Sequence, residues 1–140
     1  MKRWGALLLL PLLGGCINDG IAMRIDGPEH AISVLREQKL FWEKRVDLEL
    51  VVARLPDCQR RHKIDSAPIG NFRIDAYRTG PNTFLLQQGK NLYSVETQTC
   101  AKFEKLGAPP AEGMGELVGA FREEKGALVF VAAQAAPAAK

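Results

Sequence analysis

Val46-Asp47-Leu48-Glu49-Leu50-Val51-Val52 is the stretch on which the fold class turns. Val46, Leu48, Leu50 and Val52 fall on one side of an extended chain and Asp47 and Glu49 on the other, the two-residue period of a strand with one face in a core. The same alternation recurs upstream, where Ile21, Met23 and Ile25 are set against Ala22, Arg24 and Asp26. Downstream, Phe72, Ile74 and Ala76 alternate with Arg73, Asp75 and Tyr77, and Thr79-Gly80-Pro81-Asn82 then marks a turn. The segments 83–88 and 91–97 flank Gly89-Lys90 at hairpin spacing, so this region reads as a three-strand meander.

Other segments are less periodic. Between Pro28 and Trp42, Ile32 and Val34 alternate while Leu35, Gln38 and Trp42 also fit a helix, and a strand is the favoured reading. Pro56 ends the central strand, and a polar, basic loop is expected to carry Cys58 onward to Pro68 and Gly70. Residues 102–106 are undecided, 107–115 form a Pro/Gly/Ala loop, and 117–121 with 127–131 suggest a last hairpin around Arg122 to Gly126. The expected fold is mainly β, or α+β: a small antiparallel barrel or sandwich of about six to eight strands with at most one or two short helices. Residues 21–131 make a single domain, and the Ala-rich segment 132–140, with nothing to pack, is expected to be disordered.

The chain has 140 residues, 46% hydrophobic and 25% charged, a composition that fits one globular core. Of 19 basic residues against 16 acidic ones, Lys2 and Arg3 stand in a leader, so the remainder carries a surplus of one. That excludes the broad basic footprint of a nucleic-acid binder. In the leader, Met1-Lys2-Arg3 precedes a ten-residue apolar stretch, Trp4 to Leu13, and small Gly14 and Gly15 follow, the order of a secretory signal. The apolar run is shorter than the roughly 20 residues that a membrane-spanning helix needs.

Leu13-Gly14-Gly15-Cys16 resembles the lipobox of bacterial lipoproteins. The resemblance covers the leader alone and implies a diacylglycerol on the Cys16 thiol, cleavage between Gly15 and Cys16, and acylation of the new amino group. Residues 1–15 would then be a removed signal peptide and 16–20 the anchor and tether, with Ile17 to Gly20 keeping the domain within about 15 Å of the bilayer at roughly 3.5 Å per residue. Two or more acyl chains give stable anchoring. In enteric lipoproteins an aspartate at the second mature position favours inner-membrane retention. Here Asp19 is fourth, so the resemblance points to the inner leaflet of the outer membrane, facing the periplasm.

Lipidating Cys16 leaves Cys58 and Cys100 as an even pair in an oxidising compartment, where a disulfide is the expectation. The bridge would close 41 intervening residues and contribute up to roughly 4 kcal/mol. The competing arrangement, Cys58 and His62 as metal ligands with Cys100, lacks a fourth ligand and crowds a cation with Arg60, Arg61 and Lys63, so no metal is expected.

Catalytic chemistry is sparse. His62, Asp65 and Ser66 can be written as a nucleophile set, but neighbours on one loop seldom converge and no nucleophile elbow accompanies them. No phosphate-loop or dinucleotide fingerprint occurs, and neither a catalytic residue nor a cofactor is assigned. Arg54, Arg60, Arg61 and Lys63 lie around Cys58, and Lys102 and Lys105 near Cys100. On a loop such charges are simply solvated; gathered by the bridge, they would offer an anion contact to lipid phosphates or an acidic partner. Phe72, Phe84, Tyr93, Phe121 and Phe130 are expected in the core. Phe41-Trp42, read as adjacent strand positions, would face opposite ways and leave one ring, Trp42, exposed toward a partner.

The functional expectation is a membrane-anchored, non-enzymatic binding or accessory module of the cell envelope. Its alternative is a lipoprotein inhibitor of a cell-wall hydrolase, resembling the membrane-bound lysozyme inhibitors in architecture only, because Ser66-Ala67-Pro68-Ile69-Gly70 does not match their signature.

Overall fold

The computed structural model describes residues 16–133, so the expected signal peptide and residues 134–140 of the tail lie outside the described residues. Ten strands and no helix make up the described chain: β1 (Asn18–Arg24), β2 (His30–Glu37), β3 (Arg45–Arg54), β4 (Cys58–Pro68), β5 (Arg73–Arg78), β6 (Thr83–Gln88), β7 (Asn91–Glu96), β8 (Phe103–Leu106), β9 (Glu116–Glu124) and β10 (Ala127–Ala132). They form two antiparallel sheets. The first has the order β1-β2-β3-β4, and the second the order β10-β9-β5-β6-β7-β8. The architecture is a sandwich rather than a closed barrel, with more strands than the sequence reading counted.

The alternation that marks the strands also supplies the core. From the first sheet come Met23, Ile32, Val34, Val46, Leu48, Leu50, Val52 and Ile64, and from the second Ile74, Phe84, Leu86, Tyr93, Val95, Phe121 and Leu128, with Phe72 just before β5, all buried in one cluster. Two inner faces interdigitating in this way are what gives a sandwich its stability.

The expected basic loop after Pro56 is β4, paired with β3 from Arg54↔Cys58 through Arg45↔Pro68, with a register shift between Val46 and Leu48. Its run of charged residues hid a strand because an edge strand buries little and is protected by charge. The last hairpin is longer than expected: β9 runs through Arg122 to Glu124, and only Lys125-Gly126 turns. Both residues have positive φ, 51° and 81°, as a two-residue hairpin of this twist requires. Finally, β1 begins at Asn18, so only Ile17 separates Cys16 from the sheet and the expected four-residue tether contracts to one; at the other end β10 includes Ala132.

The lateral openings of the sandwich are closed by contacts between sheets. On one side β1 lies against β10, where the Leu128 N–H donates to Asp19 at 3.4 Å. On the other, β4 faces β7 and β8. There the His62 and Phe103 rings stack at 4.7 Å between centroids, Phe103 stacks on Tyr93 at 5.6 Å, and Lys105 pairs with Asp65 at 2.7 Å.

Candidate functional site

Cys58 opens β4 and Cys100 follows β7, and the two are joined with Cα atoms 5.9 Å apart. Cys16, by contrast, is an exposed free thiol. Oxidation removes Cys58 as a metal ligand, and the His62 Nε2–H donates to the Cys100 carbonyl at 2.9 Å. The Cys58, His62 and Cys100 arrangement is thus committed to bridging the sheets.

The basic residues expected to gather at one site are dispersed. Strand alternation sets Arg60 in register with inward-facing Val52, while Arg61 and Lys63 pair with Val51 and Glu49 on the outer face. Arg61 forms an ion pair with Glu49 at 3.2 Å. Arg54 is turned inward: its Nε donates to the Thr97 carbonyl at 3.0 Å and its Nη2 to the Asn82 side chain. A depression of about 270 Å³ on the outer face is lined by Leu35, Glu37, Lys39, Asp47, Glu49, Arg61 and Lys63. Its charges are of both signs, with Arg36 also in the lining and Lys39 and Asp47 3.1 Å apart.

His62, Asp65 and Ser66 do not converge as a nucleophile set. The Asp65 carboxylate takes hydrogen bonds from Lys105 and Asn91, and the Ser66 hydroxyl accepts one from Arg45 at 3.0 Å. Hydrogen bonds from Lys105 and Tyr93 and the charge of Lys105 hold the Asp65 carboxyl below the usual carboxylate range. Backbone groups at this end of β4 are also occupied: the Asp65 N–H donates to the Tyr93 hydroxyl, and Gln88 donates to the Asp65 carbonyl. The β4 edge is therefore capped there against a further strand.

A different triad-like line does form, one that sequence reasoning missed. Asp26 lies 3.2 Å from His30 Nδ1, and His30 Nε2 lies 2.7 Å from the Thr97 hydroxyl and 3.3 Å from Arg54 Nη2. Burial and the charge of Arg54 lower the His30 pKa. The neutral ring carries its proton on Nδ1, facing Asp26, and accepts at Nε2. Thr97 is fully buried, its N–H donating to the Asn82 carbonyl at 2.8 Å, so no substrate reaches its hydroxyl. The line works as a clamp between the sheets. Its members are spread over residues 26–97, and no spacing rule links them.

A second buried cluster centres on Arg36. Its Nε and Nη2 donate to Asp19 at 2.6 and 2.9 Å, Nη2 also donates to the Gly126 carbonyl at 2.9 Å, and Nη1 lies 3.2 Å from Glu123. The Arg36 hydrogen bond and charge lower the Asp19 pKa, and Asp19 in turn raises that of Arg36.

The surface feature that stands apart is apolar. Leu40, Phe41 and Trp42 are 43%, 72% and 63% exposed in the turn between β2 and β3. Trp42 is exposed as expected, but not for the expected reason: both rings lie in a turn, packed edge to face at 4.8 Å, and both are in solvent. Among the described residues no helix is long and apolar enough to cross a membrane. No protein-family model, curated protein or solved structure matches the chain.

Proposed function

We propose that the chain is a bacterial envelope lipoprotein: a β-sandwich tethered through acylated Cys16, facing the periplasm from the inner leaflet of the outer membrane and acting as a non-enzymatic binding or accessory module. The observation that carries the reading is the contrast among its three cysteines. Cys58 and Cys100 are consumed in one bridge, and the remaining thiol is exposed two residues before the first strand, directly after Leu13-Gly14-Gly15. A reactive surface thiol there is a liability unless it is the acceptor of a modification. With Ile17 alone between anchor and sheet, the sandwich would rest on the bilayer and meet its partners at the membrane surface.

Mass spectrometry of the membrane-extracted protein tests the reading. The expected mature chain begins at Cys16 and carries diacylglycerol, and Cys16→Ser leaves uncut precursor or a soluble species. An intact leader, or a mature terminus elsewhere, overturns it. Chemical crosslinking in intact cells followed by capture is expected to return an envelope protein. The inhibitor alternative is supported by the disulfide-braced β architecture alone, and adding the oxidised domain to a lysozyme assay decides it.

A further inference from the structure

The Leu40-Phe41-Trp42 turn lies at the end of the sandwich where the chain enters it, and a single buried side chain joins the two. The Gln38 N–H donates to the Ile17 carbonyl at 2.7 Å, and the Gln38 side-chain oxygen accepts from the Ile17 N–H at 3.3 Å. The Gln38 amide nitrogen donates to the carbonyls of Phe41 at 3.3 Å and Glu43 at 2.7 Å. One amide thus holds the residue next to Cys16 with one end and the aromatic turn with the other. Gln38 is itself only 8% exposed, so the link is built into the fold.

We propose that this turn is a second membrane contact: Leu40, Phe41 and Trp42 enter the interfacial region of the bilayer beside the acyl anchor and fix the orientation of the domain. The proposal rests on the acylation of Cys16 proposed above. Trp and Phe on a surface turn are the side chains that settle at the level of lipid headgroups, where an apolar ring is shielded and the indole N–H stays hydrated. Lys44 and Arg45 are exposed beside the turn, but Lys39 is paired with Asp47 at 3.1 Å and Glu37 and Glu43 stand on either side, so the contact rests on the apolar side chains and not on charge. At roughly 3.5 Å per residue, one residue of tether leaves no room to lift the turn clear of the surface or to seat a folded protein beneath it. The opposite end of the sheet differs: the turns joining β1 to β2 and β3 to β4 carry Asp26, Glu29 and Asp57, with exposed Pro28 and Pro56 and one large exposed hydrophobic, Leu55, and no aromatic ring.

Trp42 reports on its own position, because the only other tryptophan, Trp4, precedes Gly15. The full-length protein is expressed in a bacterial host, extracted and weighed, then reconstituted in phosphatidylethanolamine/phosphatidylglycerol vesicles whose acyl chains carry bromine near the headgroups. The expected result is an acylated chain whose tryptophan emission moves to the blue and is largely quenched. Asp57→Trp in a Trp42→Phe background is expected to keep water-like, unquenched emission. Acylated protein with unquenched Trp42 overturns the proposal and leaves the anchor reading intact, and chain extracted without acyl groups overturns both. Quenching at positions 42 and 57 alike overturns the fixed orientation. A Trp42 shift in whole envelope membranes but not in pure lipid overturns the proposal in favour of a protein partner.

Discussion

The two ends of the sandwich are each clamped by an inward-turned basic side chain, Arg36 buried and Arg54 half-buried, and the clamps are made of different chemistry. At the end nearest Cys16, Arg36 is fully buried and answered by charge: two bonds to Asp19, an ion-pair distance to Glu123 and the Gly126 carbonyl. At the far end, Arg54 is answered by neutral groups, the Thr97 carbonyl, the Asn82 amide and the uncharged ring of His30. The far clamp contains no paired acid within itself, Asp26 lying beyond the imidazole, and the Cys58–Cys100 bridge stands beside it. A charge-compensated clamp tolerates ordinary changes of pH. One that depends on a neutral histidine beside arginine does not.

Truncating the charged clamp has the largest expected effect. Arg36→Ala strands Asp19 and Glu123 against each other and is expected to cost about 3–5 kcal/mol, read as a shift in the urea midpoint. Arg36→Met, which supplies apolar volume but still orphans the carboxylates, is expected to recover stability only in the company of Asp19→Asn and Glu123→Gln. Equal losses in Arg36→Met with and without those changes would break the assignment.

Removing the bridge at the other end comes next. Cys58→Ser, Cys100→Ser and the double variant are each expected to lose about 2–4 kcal/mol, and to similar extents, because the cross-link is lost in all three. Membrane attachment through Cys16 is expected to be unchanged in every one. Unequal single effects would mean that one thiol stabilises on its own account.

Acidification separates the two clamps without mutation. The folded His30 pKa is lowered, so the unfolded chain binds the extra proton first; stability from this site is complete above about pH 6.5 and is lost as pH falls toward the folded value. Arg78 adds to the positive field there, and Asp26 partly offsets it. Asp19 is also lowered, from 3.8, so its contribution is present above that value and lost only in stronger acid. Hydrogen exchange along a pH series is expected to show the turns around His30 and Thr97 opening before the β1/β10 side. His30→Gln is expected to cost about 1–2 kcal/mol near pH 7.5, from lost buried hydrogen bonds, and to flatten the first stage of the profile. Simultaneous loosening of both ends would refute the distinction.

The smallest effect tests whether the exposed turn belongs to either clamp. Phe41→Ser and Trp42→Ser remove rings that face solvent and are expected to change the unfolding free energy by no more than about 0.5 kcal/mol. A larger loss would give the turn a structural role in place of the membrane contact.

Legibility in the sequence followed the source of the signal. Where a strand buries one face, alternation is forced, and β3, β5 and the β6–β7 hairpin were readable from Val46 to Val52, Phe72 to Ala76 and Gly89-Lys90. β4 was not. As an edge strand it keeps Gln59, Arg60, Arg61 and Lys63 in water, and its interior positions, Ile64 and Ala67, stand three residues apart against the two between their partners Leu48 and Val46, so the alternation slips by one residue at the register shift. The sequence pattern sets Lys125-Gly126 within a longer turn because the charges of Arg122 to Glu124 look the same on an exposed strand as on a loop.

By itself, the sequence determined a mainly β domain, the β5–β6–β7 meander, the even cysteine pair and the lipobox-like leader, because each of these is a local pattern or a count. Only the tertiary structure decided that ten strands close as a sandwich, that Arg54 turns inward and that Arg60 parts from Arg61 and Lys63. The same holds for the partners of Arg36 and His30, which lie as far apart in the chain as Asp19 from Gly126 and Asp26 from Thr97. Such pairings are chosen by which inner-face positions the two sheets bring opposite one another. A long-range contact of that kind leaves no periodicity behind, since its cost and its benefit are both settled by burial after the chain has folded.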